Sequence, residues 1–330
     1  MTFYARHPRY SIFLIVCLFI TLLMFFNSSP GGPDGGAGRA YPFQRRPPTK
    51  ALHTEEVIDM TESSYREALR ERQRMIRKWG PTPRDVDAFP SHGEFYTLWD
   101  FFIPAFQCPH RVQRIGTLGD GGKWMCGLDR VVKKPKCVIY SFGVNGESSF
   151  ESSILERGPG CEVWGYDFSV NSFGPEITSV PNLDSRAHFY PYALGPSDAP
   201  TSDPPMFTLQ TLMKRNGHSF IDILKVDIEG AEFESLNSFI RHFTSATPDN
   251  GQVVLPIGQL QLEIHARDAT YAQFNNFLKW WEELERAGLR PFWTEPNLVY
   301  VNLIRGVAPD LVEYSFMNIR GHHELVADDL

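Results

Sequence analysis

No segment of the 330-residue chain recurs at a fixed period of 20–50 residues, which excludes solenoids and propellers. Basic charge is in short supply. The 32 Lys and Arg against 39 Asp and Glu leave a net charge of -7, which argues against general nucleic-acid binding, because duplex affinity comes largely from cations that neutralise phosphates. There is no G-x-G-x-x-G and no G-x-x-x-x-G-K-[ST], so neither a dinucleotide nor a nucleoside triphosphate has its usual cradle. Cysteine is limited to five residues without a C-x-x-C pair, and a zinc site is not expected. The only D-x-D is Asp85-Val86-Asp87, between prolines and ahead of any strand. At 42% hydrophobic residues the chain is too apolar to be disordered and long enough for one large core.

Charge is missing most completely from Tyr10 to Phe26, YSIFLIVCLFITLLMFF, which follows Arg6 and Arg9. The run predicts a signal anchor over 10–26 with a cytoplasmic tail at 1–9, giving a single-pass type II membrane protein of the Golgi or endoplasmic reticulum with its folded part in the lumen. A cleaved signal peptide is the alternative. A Gly/Pro-rich stem occupies 27–54, a helical segment and linker 55–90, and the main domain 91–330. In 55–79, Tyr65, Leu69, Ile76 and Trp79 lie near one helical stripe among several arginines. Such a helix covers one side of the domain, rests on anionic lipid, or pairs with a second chain in a homodimer. Four cysteines (Cys108, Cys126, Cys137, Cys161) share one stretch, and in an oxidising lumen they allow two disulfides in three connectivities. Four reduced thiols are the other outcome.

Beyond residue 90, β-rich runs alternate with helical segments. The strands expected are 137–142, 162–168, 187–194, 221–228, 259–265 and 298–304; the helices are 148–157, 207–215, 230–243 and 268–287, the last with Asp268 as N-cap. Alternation of this kind predicts an α/β domain with a mainly parallel sheet and helices on both faces.

In such sheets ligands bind beyond the carboxyl ends of the strands. The first strand runs into Gly143-Val144-Asn145-Gly146-Glu147, whose glycines let the backbone turn tightly toward a ligand ahead of a helix N-terminus. The second ends at Asp167, at the spacing where nucleotide-binding α/β folds place a carboxylate on ribose hydroxyls. A nucleoside without phosphates, such as S-adenosylmethionine, fits this pair. Further along, Asp227 and Glu229 end one strand and Glu263 and His265 the next, with Glu263 and His265 on one face. His265 is the first choice for a general base and Asp227 the second. With Glu229 they could also hold a divalent cation, as a weak metal site.

The run Asp222-Ile223-Leu224-Lys225-Val226-Asp227-Ile228-Glu229-Gly230-Ala231-Glu232 resembles the strand-four signature of the FkbM-like class I methyltransferases. With Arg114-Ile115-Gly116, Gly119-Asp120-Gly121-Gly122 and Gln261-Leu262-Glu263-Ile264-His265, the chain looks like the membrane-anchored methyltransferase-like protein 24 group over about 95–305. The resemblance implies a Rossmann-like, seven-stranded sheet whose last strand, expected at 298–304, is antiparallel. It also implies S-adenosylmethionine as cofactor. Carried over, Gly143, Asn145 and Gly146 would face its methionine part, Asp167 the ribose, and Ala193 and Leu194 the adenine. Ser141 stands where many class I enzymes carry an acid, and Glu147 or Asp120 is the expected replacement. The acceptor expected is a small-molecule or glycan hydroxyl. Two rivals remain: a Golgi glycosyltransferase-like enzyme, and an inactive cofactor-binding scaffold tethered to a membrane.

Overall fold

The computed structural model describes residues 52–119, 121–245, 252–304 and 306–330. The apolar run 10–26, most of the stem and Asp120 lie outside the described residues. Among the described residues no helix is long and apolar enough to cross a membrane.

Helix α1 (Thr54–Trp79) has Glu55 and Glu56 in its first turn and Arg77 and Lys78 in its last, the arrangement a helix dipole favours. Its stripe packs on its own domain, where Ile58, Tyr65 and Ile76 are buried. Buried Arg72 secures it by donating to the Phe101 carbonyl at 2.8 Å and to Glu285 at 2.7 Å.

A hairpin follows, β1 (Val112–Ile115) paired with β2 (Lys123–Cys126). The Cys108–Cys126 disulfide closes its foot, while Cys137 and Cys161 are free and buried. The chain then alternates as β3 (Cys137–Phe142), α2 (Ser149–Arg157), β4 (Cys161–Tyr166), β5 (Ala187–Tyr190), β6 (Ala193–Leu194), β7 (Met206–Phe207), α3 (Leu209–Asn216), β8 (Ile221–Val226), α4 (Glu232–Ser245), β9 (Ile257–His265), α5 (Phe274–Arg286), β10 (Leu289–Pro296), α6 (Leu298–Leu303) and β11 (Leu311–Asn318). Seven strands form one sheet in the order β10-β11-β9-β8-β3-β4-β5. Only β11 runs against its neighbours.

Three expectations need correcting. Residues 298–304 are not the antiparallel strand: Asn297 caps Tyr300 N–H and starts α6, and β11 takes the antiparallel place. The run 187–194 breaks at Pro191, which cannot donate to a ladder, into β5 and the separate β6. Asp268 does not cap the long helix. Its Oδ1 accepts from Thr270 and Tyr271 N–H in a preceding turn, and α5 begins at Phe274.

Alternation along the strands builds a core on each face. Tyr140, Phe142, Leu260, Leu262 and Ile264 pack with α3, α4 and α5 on one side, and Ile139, Val163 and Ile223 with α2 and the hairpin on the other. On β9 the residues that alternate with Leu260, Leu262 and Ile264 are Gln259, Gln261, Glu263 and His265, all buried. Gln259 exchanges hydrogen bonds with the Cys126 backbone, so β2 lies along this polar row.

Candidate active site

The carboxyl ends of β3 and β4 are locked together. Gly143 and Asn145 have positive φ (76° and 46°), and a Cβ on Gly143 would overlap the Asp227 carbonyl oxygen, so only glycine allows β3 and β8 to end this close together. Asn145 N–H donates to Asp167 Oδ2 at 2.8 Å, and Asp167 Oδ1 accepts from the Ser169 amide and hydroxyl, both at 2.7 Å. Three bonds leave this buried carboxylate capacity for one more. Gly146 faces open space.

Beneath the turn lies a charge pair that residue spacing does not reveal. Lys225 donates to the Gly143 carbonyl at 2.5 Å and lies 4.0 Å from Glu151 of α2. Ser141 donates to Glu151 Oε1, while Glu151 Oε2 is buried without a hydrogen-bond partner among the described residues. The acid missing at Ser141 is therefore supplied from the following helix. Glu147 Oε1 accepts from Ser149 N–H at the start of α2, and its other oxygen occupies the space a side chain on Gly121 would need. Ala193 and Leu194 lie just past Tyr190, whose carbonyl accepts from Asp167 N–H, with Leu194 packed into the core.

Two strands away a second group converges. His265 is 1% exposed; its Nε2 lies 3.3 Å from Glu229 Oε2 and 4.0 Å from Asp227 Oδ1, and its Nδ1 lies 3.2 Å from Glu232 Oε1. Fully buried Glu232 also accepts from His265 N–H at 2.7 Å and from Gly230 N–H at 2.8 Å. Its carboxylate, an acceptor only, places the ring proton on Nδ1 and leaves Nε2 toward Asp227 and Glu229. Burial pulls the His265 pKa down most strongly, but Glu232, then Glu229 and Asp227, outweigh it and the net direction is up. Sequence reasoning assigned no role to Glu232, Lys225 or Glu151; the first two stand in the strand-four motif, and Glu151 has no sequence signal.

The hairpin roofs this end of the sheet. Lys123 is buried in an ion pair with Glu313. Next to them Glu263 is pushed up to about 10 by burial first, then by Glu313 and Asp227. Burial among these carboxylates favours its protonated form, and its Oε1 lies 3.4 Å from Asn297 Nδ2. Thr117 N–H donates to Ser149 Oγ, Trp124 stacks on Trp293 at 4.0 Å and donates to Glu295. Asp227, Glu229 and His265 offer donor atoms all within 4.8 Å of one another. The D-x-D is otherwise engaged: Asp85 accepts from Thr82 and Asp87 from Phe89 within local turns.

A parallel sheet with one antiparallel strand, in this order and with a glycine turn, a strand-two carboxylate and polar residues at its centre, has the architecture of a Rossmann-like class I methyltransferase. The chain belongs to the family whose model is described as "Methyltransferase domain", which matches residues 57–308. It is similar to probable methyltransferase-like protein 24 of Rattus norvegicus, at 27% identity over 52% of this chain and 47% of the relative. It is likewise similar to the Homo sapiens protein of the same name, at 27% identity over 52% and 46%. The chain thus spans about half the length of the curated relatives it matches. Among solved structures, the Methanococcus jannaschii fibrillarin pre-rRNA processing protein matches 57% of this chain and 68% of its own at 14% identity and a TM-score of 0.34.

Proposed function

We propose that the chain is an S-adenosylmethionine-dependent methyltransferase that methylates a hydroxyl acceptor. The observation that carries this is the joining of the glycine turn to Asp167 at one pair of strand tips, with a carboxylate-held imidazole two strands away. The residues fit the cofactor: Asp167 retains acceptor capacity for a ribose hydroxyl, Gly146 leaves room, and the orphaned Glu151 Oε2 is a partner for an ammonium group. When bound, the cofactor supplies a methyl group already activated on a sulfonium, so the protein's task is alignment and proton removal. Glu232 fixes the ring of His265, Nε2 accepts the acceptor's proton, and the three carboxylates stabilise the imidazolium that results. Asp167→Ala is expected to weaken cofactor binding measured by calorimetry, and His265→Ala to spare binding and lower transfer of labelled methyl. Equal losses of both in both variants would reject these roles.

A divalent cation at Asp227, Glu229 and His265 is the second reading. It is favoured by the convergence of the three donors and by Glu232 behind the ring, the support a metal-bound histidine usually has. Activity unaffected by EDTA would end it. The Cys108–Cys126 disulfide supports an oxidising compartment, in keeping with the lumenal placement expected from the 10–26 run. Protease protection on intact vesicles tests that placement.

A further inference from the structure

The loops beyond the strand tips are polar inside and apolar outside. Of the thirteen large hydrophobic residues left exposed among the described residues, six lie on segments that border the site: Leu118, Phe168, Leu298, Val299, Leu303 and Ile304, four of them on one short stretch. Leu118 is in the hairpin loop that touches Ser149, Phe168 directly follows Asp167, and the other four belong to α6 and its end. The helix α6 buries none of its residues, and the segment LVYVNLI carries no charge. Its attachment to the domain is polar and leads into the site. Asn297 Nδ2 approaches Glu263 Oε1 at 3.4 Å, and Arg267, 3.8 Å from Glu229, lies over the Tyr300 ring at 5.2 Å. One guanidinium joins the two rims: Arg114 donates to the carbonyls of Thr117 and Gly119, on either side of Leu118, and to Glu295, three residues before Leu298.

Exposed aliphatic side chains grouped around a polar centre mark a surface that is covered in use. From this we infer that the acceptor is an amphipathic alcohol of the hydroxylated-lipid class: its hydroxyl reaches His265 while its apolar body lies along α6 and Leu118. This rests on the methyl-transfer reading above. A polar glycan would leave these side chains uncovered.

The test uses the full chain and a twelve-carbon primary alcohol bearing a diazirine near its tail, photolysed on the protein and mapped by peptide mass spectrometry. Adducts are expected on the 298–304 segment and around Leu118, and are expected to fall at least fivefold in the double variant Leu298→Ser, Leu303→Ser. Both residues are exposed, so the fold and cofactor affinity should be unchanged. Adducts absent from both segments, or undiminished in the variant, overturn the inference. Calorimetry with the demethylated cofactor on the same samples separates the two claims: adducts on α6 without cofactor binding refute the methyl-transfer reading instead.

Discussion

Glu232→Gln tests how the imidazole is set. The substitution keeps the size of a fully buried side chain but turns one acceptor oxygen into a donor. If the amide oxygen stays with His265, the new NH2 meets Gly230 N–H, where Glu232 Oε2 now accepts at 2.8 Å; if it flips, it meets His265 N–H instead. Either way a backbone donor loses its partner, the half-buried Gly230 N–H or the buried His265 N–H, a cost of about 1–3 kcal/mol, or about 2–12 °C in Tm at roughly 2–4 °C per kcal/mol. The second effect is electrostatic. Burial alone lowers the His265 pKa and Glu232 is the foremost group raising it, so the variant's imidazole should titrate lower than the wild type's. A folded-state pKa raised above the unfolded one adds stability that is fully present below the unfolded value, near 6.5, and is lost as pH rises through the folded value. The stability gap between wild type and variant should therefore be widest below pH 6.5 and narrow on the alkaline side. NMR titration of the His265 ring and thermal melts from pH 5 to 9 measure both. An unmoved or higher His265 titration, or a gap that widens with pH, would refute the account of the site.

Asp167→Ala should lower affinity for the demethylated cofactor about 10- to 150-fold, from the loss of one charge-assisted hydrogen bond worth about 1.5–3 kcal/mol. It should also lower Tm, because Asn145 N–H loses its acceptor; calorimetry showing unchanged affinity would contradict the ribose role. Gly143→Ala should abolish cofactor binding and yield little folded protein, as its Cβ would meet the Asp227 backbone at a positive φ; wild-type circular dichroism and binding would be the contrary result. Burial first, then Glu313 and Asp227, push Glu263 well above the ordinary carboxylate range, so folding favours its protonated form and stability drains as pH rises above its unfolded value of about 4.3. Glu263→Gln removes that loss, and urea titrations should show its advantage over wild type growing from pH 4 to pH 9; a constant difference would rule it out.

Much of the central sheet could be read directly from residue order. Cys137–Phe142 coincides with its expected strand, and Gly143 and Asp167 stand at neighbouring tips as their spacing implied, because backbone periodicity and turn chemistry are local properties. Glu263 and His265 share a face for the same reason. The pairings under the turn were not readable: Lys225 reaches Gly143 across 82 positions and Glu232 reaches His265 across 33, and no local pattern records such distances. The segment 298–304 misled because an uncharged β-branched run suits a strand or a helix equally, and a single capping side chain, Asn297, decided between them. The true last strand, LVEYSFMN, alternates only in part.

The disulfide at the foot of the hairpin has a practical consequence. It closes a loop spanning 18 positions, an effect of about 3 kcal/mol on the unfolded chain, and neither sulfur belongs to one of the seven strands, although Cys126 packs against β9 and β11. Protein prepared in a reducing host would keep its strands yet carry a slack cover over Glu263 and His265. Inactivity of such a preparation would then report on the host's redox state, and the protein should be judged only on material secreted by eukaryotic cells or refolded under glutathione.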